Sequence, residues 1–390
     1  MDRSNDLILP AETPWLKDAN AQALCAVFAN AGHQVFFVGG CVRNAVLNEA
    51  ASDIDLSTNA HPQQVMDLAK AAGLKAIPTG IDHGTVTVVM DGTPFEITTF
   101  RRDVETDGRR AVVAFSDNIA DDARRRDFTM NALYAEATGR IVDPLNGLAD
   151  TRARRIRFIE NASMRIREDY LRSLRFFRFS AWYGDADLGF DPEALSAIAS
   201  NLDGLASLSA ERVGSEMIKL LGASNPAPSL AVMRQTGVLQ SVLMGSDDTW
   251  VAPLVHIESV MDLTPDPLRR LAALGGIDVA TTLRLSKPQA RALDVLRDGL
   301  GNLQSEGELG YRHGIETALG IVALRAAFAG QMPRADARLK IEHGAHSVFP
   351  IQAIDLQPAF TGPALGQRLK ALKQDWIASN FAKTKAQLLG

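Results

Sequence analysis

A glycine turn followed at short range by two aspartates one residue apart constrains this chain more than any other feature. It lies in residues 36 to 58, FFVGGCVRNAVLNEAASDIDLST. The apolar run Val35 to Val38 reads as a strand that ends at Gly39 and Gly40. These glycines permit a tight turn and close backbone approach, and the helix expected after them offers unpaired N–H groups to an anion. Arg43, in the first turn of that helix, adds a full positive charge. Alternation along a strand puts Asp53 and Asp55 on one face, with Ile54 and Leu56 anchoring the other in the core.

A third acid fits the same pattern. HGTVTVVMDGTPFEITTF reads as a hairpin about Asp91-Gly92, with Glu96 between Phe95 and Ile97. Three acids on neighbouring strands are a hard oxygen set suited to Mg²⁺, which takes a few carboxylates and completes its shell with phosphate oxygens. Two such ions can activate an attacking hydroxyl and stabilise a leaving pyrophosphate, the chemistry of nucleotidyl transfer. Each element alone has a bland explanation, a glycine turn or solvated turn acids; their order within about 60 residues argues for the site.

The first 140 residues read as a small α/β domain, opened by a helix after Thr13-Pro14 and with a second helix at 62 to 72 behind the aspartate strand. After Asp143-Pro144 and Gly147, strand signals fade and helical periodicity runs almost to the end. Two cysteines, Cys25 and Cys41, exclude a disulfide scaffold and a four-cysteine zinc site. His343 and His346 form an HxxH with no nearby acid or cysteine to complete a metal site. No stretch is apolar and long enough to cross a membrane, and the N-terminus lacks a basic segment before an apolar core, so the expectation is a cytoplasmic protein.

A net charge of −5 is unusual for a protein that handles nucleic acid, but it is unevenly spread. Residues 101 to 180 hold seventeen Arg, no Lys and thirteen acids, a local +4 that leaves −9 for the rest. Arginine without lysine favours forked recognition of phosphates and base edges. Within DDARRRDFTMNALYAE, Arg126 and Asp127 are either a nucleotide contact or a local ion pair. Within REDYLRSLRFFRFSAWYG, a helix would bring Asp169 to Arg172, Arg172 to Arg175, and Arg175 to Arg178, in steps that drift around the axis. A nucleotide is long enough to engage several of them; the competing reading is a surface pair of Glu168 with Arg172.

These segments closely resemble the class II tRNA nucleotidyltransferase and bacterial poly(A) polymerase family, within the DNA polymerase β-like nucleotidyltransferases. The shared motifs are GGCVRN with SDIDLST, then ARRRDFTMNAL, DPLNGLAD, EDYLRSLRFFRF and SAERVGSE, in family order from residue 39 to 216. GPALGQRLKALKQDWI also looks like a tail segment of CCA-adding enzymes. The resemblance implies an α/β nucleotidyltransferase head with a mixed sheet (1–140), then an all-helical neck (141–225) and a body and tail that contact tRNA (226–390). It implies Asp53 and Asp55 as Mg²⁺ ligands, with Glu96 as a third catalytic acid placed mainly by strand geometry. Gly39, Gly40 and Arg43 would hold the triphosphate, and Arg126, Asp169, Arg172, Arg175 and Arg178 would form the nucleotide pocket. In this family side chains replace a template, so Asp169 and Arg172 would read cytosine and adenine from CTP and ATP.

The implied reaction is stepwise addition of C, C and A to a tRNA 3′ end with pyrophosphate release. Alternatives are a poly(A) polymerase or a partial CC- or A-adding enzyme, and, from another class, a non-catalytic RNA-binding protein. The sequence departs from the family at Asn44, where the family usually has Asp. Cys41 reads as a packed thiol, and Glu211, Arg212 and Glu216 as braces of a helix. The charged segment from Arg101 to Ala123 reads as a loop, which the resemblance links to the switch from C to A addition. Residues 361 to 390 carry five basic residues and one acid, with Leu365, Leu369, Leu372 and Trp376 at amphipathic spacing.

Overall fold

The computed structural model describes residues 7–50, 53–107 and 110–390, with backbone alone for 103–107 and 110–112. The chain divides into two compact units, Met1–Glu216 with Gln235–Val242, and Met217–Arg234 with Leu243–Gly390.

In the first unit, nine strands form two sheets: β1 (Val35–Val38), β2 (Asp55–Thr58), β3 (Lys75–Gly80), β4 (Thr85–Met90), β5 (Thr93–Thr99), β6 (Arg101–Asp107), β7 (Arg110–Phe115), β8 (Tyr134–Ala135) and β9 (Ile141–Val142). The main sheet runs β3-β4-β5-β2-β1-β8-β9 and is mixed: β2 and β5 are parallel, and every other neighbouring pair is antiparallel. The β4–β5 hairpin turns through Asp91 and Gly92, both at positive φ (47° and 80°), as that dipeptide favours. Phe37, Leu56, Val86, Phe95 and Ile97 are fully buried on this sheet, against Leu24 and Phe28 of the helix Ala19–Asn30 and Val65 of the helix Pro62–Ala71. Each such side chain contributes about 1.5–3 kcal/mol on burial. The opening helix is two pieces, because Asp18 is extended and caps the second by accepting the Ala21 N–H at 2.7 Å.

The charged segment from Arg101, expected as a loop, forms the antiparallel ribbon β6–β7 in register Arg101↔Phe115 to Asp107↔Arg110, followed by a short helix, Ile119–Arg124. Val104, Thr106, Val112 and Val113 supply β-propensity that the charge density masked. Half of the Asp107-Gly108 turn signal lies outside the described residues.

Beyond β9 the described chain is helical. Asp143 caps the helix Gly147–Arg152, accepting from the N–H groups of Gly147 (2.8 Å) and Leu148 (2.9 Å). Gly147 rests on the 3₁₀ turn Thr129–Asn131 so closely that a Cβ would overlap the Thr129 carbonyl oxygen. Asp150 accepts from the Thr129 hydroxyl at 2.8 Å. An aromatic cluster locks the same region: Phe128 packs on Phe158 and Phe179 at 5.0 Å between centroids, and Phe176 stacks on Phe158 at 5.8 Å.

The regular elements described in the second unit are all helices. Glu306–His313 and Ala337–His346 approach through Gly310 and Gly344, where any side chain would strike opposing backbone. A buried Glu258 carboxylate lies between Arg269 and Arg270. The stripe read in the last helices is present: Leu372 and Trp376 are buried, with Leu365 and Leu369 packed beside them. Two of the five basic residues there are paired, Lys383 with Asp375 and Lys385 with Asp355. His343 and His346 each have a backbone carbonyl in hydrogen-bond range. No described helix is long and apolar enough to cross a membrane.

Candidate active site

A cavity of about 390 Å³ in the first unit collects most of the residues singled out above. Its floor is the turn after β1. Gly39 has φ 71° and ψ −117°, a conformation open only to glycine, and Gly40 begins the helix Gly40–Leu47. Arg43, one turn in, is 5% exposed, yet among the described residues no carboxylate bonds it. Nε and Nη2 donate to Asn44 Oδ1 (3.1 and 2.9 Å), Nη1 to Asn131 Oδ1 (2.5 Å) and Nη2 to the Tyr183 hydroxyl (2.8 Å), with the Tyr183 ring 4.0 Å away. Burial lowers its pKa, opposed by Tyr183 and the charge of Asp127. Asn44 thus orients Arg43 without neutralising it and donates to the Ala50 carbonyl at 2.7 Å. Cys41 is buried, its thiol pushed up to about 11 chiefly by that burial, as a packed thiol should be.

Arg126 and Asp127 form the next wall. The local ion pair is not formed between these two: Asp127 pairs with Arg175 at 2.5 Å, and Arg126 with Asp122 at 3.1 Å. Burial raises the Asp127 pKa, but the Arg175 charge and hydrogen bonds from Asn131, Arg175 and the Phe128 N–H outweigh it and bring it down to about 2. Burial likewise opposes ionisation of Asp122, and the charges of Arg126 and Arg125 with the Tyr134 hydroxyl hold it well below the usual carboxylate range.

Asp169 is not on the helix with the arginines. The helix Ala162–Glu168 ends there, Asp169 is extended (φ −155°, ψ 103°), and the next helix, Leu171–Tyr183, starts two residues later. Its carboxylate therefore meets Arg212 at 2.6 Å and the Leu171 N–H at 3.1 Å. Arg172 pairs with Glu168 at 2.5 Å, as the competing reading had it, and also donates to the Arg125 carbonyl at 2.9 Å. It still lines the cavity, as do Asp169, Arg175 and Arg212. Arg178 does not: it bonds Glu216 and lies 4.5 Å from the Phe179 centroid. Arg212, read as a helix brace, is thus a cavity residue, and Glu216 braces Arg178 and Arg175.

The acids sit beside this cavity, with Asp55 on its wall. Asp55 opens β2 in register with Glu96 on parallel β5, while Asp53 precedes the strand and is exposed. Asp55 is raised to about 6 by burial, the Glu96 charge and Asp53, against the lowering effect of Arg126. Negative charge is thus concentrated at one point of the sheet, which a divalent cation would relieve. Among the described residues no three acids, histidines or cysteines close into a metal cage. One or two carboxylates with room for phosphate oxygens suit a hard cation better than a closed cage.

Fold and site together define a nucleotidyltransferase head followed by helical units. Residues 35–157 match the family model described as poly A polymerase head domain, and 187–247 that described as probable RNA and SrmB-binding site of polymerase A. The chain is 30% identical to the mouse CCA tRNA nucleotidyltransferase 1, mitochondrial, over 94% of this chain and 88% of that one. It is 42% identical to the Oceanobacillus iheyensis CCA-adding enzyme over 53% of this chain and 50% of that one. It superposes on the crystal structure of the Bacillus stearothermophilus CCA-adding enzyme in complex with CTP with a TM-score of 0.75 and 27% identity, covering 94% and 93% of the two chains. The chain belongs to the CCA tRNA nucleotidyltransferase family, whose members are template-independent and depend on a divalent metal.

Proposed function

We propose that the protein adds C, C and A in turn to the 3′ end of tRNA, using CTP and ATP and releasing pyrophosphate. The observation that carries this is the single cavity in which the Gly39-Gly40 turn, Asp55, Arg126 and the Asp169, Arg172 and Arg212 cluster converge. Family membership and the CTP-bound relative support the same reading.

In this reading the helix N-terminus at Gly40 and the charge of Arg43 attract the triphosphate. Arg126, with Nη1 beside Gly39, adds a second positive charge for the same anion. Asp169 offers an acceptor to a base amino group and Arg172 donates to ring acceptors, which selects cytosine and adenine by their edges. Asp53 and Asp55, with Glu96 adjacent, would hold Mg²⁺ as the divalent ion, which would supply activation of the attacking 3′ hydroxyl and charge neutralisation of the leaving pyrophosphate. Head, neck and body with tail divide as 1–140, 141–225 and 226–390, the last contacting tRNA, and cytoplasmic residence belongs to the same proposal.

The test is a tRNA transcript lacking CCA, incubated with CTP, ATP or both and resolved on a gel. CTP alone gives two added residues, both nucleotides give three, and extension then stops. Long A tracts on unstructured RNA would establish the poly(A) alternative, a halt at CC or addition of A alone a partial enzyme, and no pyrophosphate release a binding protein.

A further inference from the structure

We propose that Asp122 is a positioning residue that fixes the arginines of the nucleotide pocket and ties them to the strand carrying Asp55. This rests on the pocket assignment above and concerns a residue outside the cavity lining.

Asp122 lies on the short helix Ile119–Arg124 and is fully buried, where an ionised carboxylate persists only if its oxygens are well supplied with donors. They are. Oδ2 accepts from the Tyr134 hydroxyl at 2.7 Å, from Arg126 Nη2 at 3.1 Å and from the Ser57 hydroxyl at 3.3 Å. Oδ1 accepts from Arg125 Nε at 2.7 Å. Those donors belong to β8, to the segment that follows the short helix, and to β2.

Each contact bears on the pocket. Ser57 is two residues beyond Asp55 on β2, so both side chains take the same face of the sheet. Arg126 donates from Nε to the Tyr134 hydroxyl at 3.2 Å as well, which fixes its plane and leaves Nη1 against Gly39, 3.3 Å from where a Cβ would stand. Arg125 is anchored at its guanidinium by Asp122 and at its carbonyl receives Arg172 Nη2 at 2.9 Å. One carboxylate therefore sets the Arg126 guanidinium on the triphosphate side and, through Arg125, supports Arg172 on the base side. It balances one of the two guanidinium charges it touches and leaves the other for the substrate. An arginine held in place before binding loses less side-chain freedom when the ligand arrives.

The experiment is a binding and kinetic cycle on the full chain with Asp122→Asn, Arg126→Ala and the double variant, titrated with CTP and with ATP. Asp122→Asn should weaken both nucleotides about tenfold, as loss of a charge-assisted hydrogen bond does, and act on KM more than on kcat. In the Arg126→Ala background the same change should cost less than about threefold, because the group it positions is gone. Tyr134→Phe, which removes one neutral hydroxyl from the network, should give a smaller loss in the same direction and serves in the cycle if Asp122→Asn does not fold. Unchanged nucleotide affinity in Asp122→Asn, or full additivity with Arg126→Ala, overturns the inference. Unchanged affinity in Arg126→Ala overturns the pocket assignment and the inference with it.

Discussion

Arg212 Nη2 lies 2.6 Å from Asp169 Oδ2, while Asp169 Oδ1 accepts the Leu171 N–H at 3.1 Å, so the carboxylate proposed to read the base is fixed at both oxygens. Each oxygen keeps a lone pair for a base amino group. Asp169→Ala should weaken CTP and ATP use and reduce discrimination against UTP and GTP by about 1–3 kcal/mol, the range of a base-edge contact. Arg212→Ala should loosen selection in the same direction by a smaller amount. Values of kcat/KM for the four nucleotides decide it; full selectivity in Asp169→Ala removes the template role.

Asp53→Ala or Asp55→Ala should nearly abolish transfer while leaving the melting temperature and tRNA affinity close to wild type. Burial and the Glu96 charge raise the Asp55 pKa to about 6, so the fold disfavours its ionised form and its removal takes no stabilising charge from the folded state. Wild-type turnover in either variant would contradict the assignment of both as metal ligands.

The Asp127–Arg175 pair predicts a pH dependence of stability. Asp127 titrates at about 2 in the folded chain against 3.8 as its ordinary value, so the folded state favours the ionised form. Its contribution, about 2 kcal/mol from the shift, is present above pH 3.8 and lost as pH falls through 2. Urea midpoints between pH 5 and pH 2 should fall less steeply in Asp127→Asn than in wild type, from a lower starting stability. Parallel curves would mean that other groups carry the acid limb.

Replacing residues 105 to 110 of the β6–β7 ribbon with a two-residue turn should leave C addition intact and stop products at CC. Among the described residues the two strands of the ribbon pair with each other and not with the main sheet, so shortening it leaves that sheet paired. Normal addition of the terminal A to a tRNA transcript would dissociate the ribbon from the change of nucleotide.

Lys383 and Lys385 are committed to Asp375 and Asp355, which leaves Arg368, Lys370 and Lys373 as the basic residues of the last helices without a carboxylate partner among the described residues. Changing these three to Glu should weaken tRNA binding and flatten its dependence on salt, since phosphate contacts release counterions. The CTP affinity of the isolated reaction should not change. Equal salt slopes for variant and wild type would place the RNA contacts elsewhere.

The sheet and the glycine turn were legible in sequence because their signals are local: an apolar run ending in Gly39-Gly40, alternation through Glu96, and Asp91-Gly92 between two strands. The β6–β7 ribbon was missed because its polar composition resembles a loop and its pairing is with itself. Helical spacing set Asp169 beside Arg172, but the chain bends at Asp169 before the second helix, and Arg212, forty-three positions away, takes the contact. Arg212 carries no local signal, since Asp169 is brought near it only by the fold; Asp122 stands at helical spacing from Arg125 and Arg126, but its Tyr134 and Ser57 partners are supplied by the fold. Arg212 did lie in a quoted motif, SAERVGSE, and four arginines in search of acids could have drawn attention to it.

Gly147 shows how little room the arrangement leaves. The residue carries no charge, lines no part of the cavity and offers nothing to a nucleotide, yet the Thr129 carbonyl fills the space in which a methyl group would stand. Two residues along the same turn, Asn131 holds Arg43, and Asp127 before it holds Arg175. One added carbon atom would be felt as misplaced guanidiniums on the far side of that turn. The tolerance of this enzyme to change is therefore narrow at a position that no inventory of polar groups would flag.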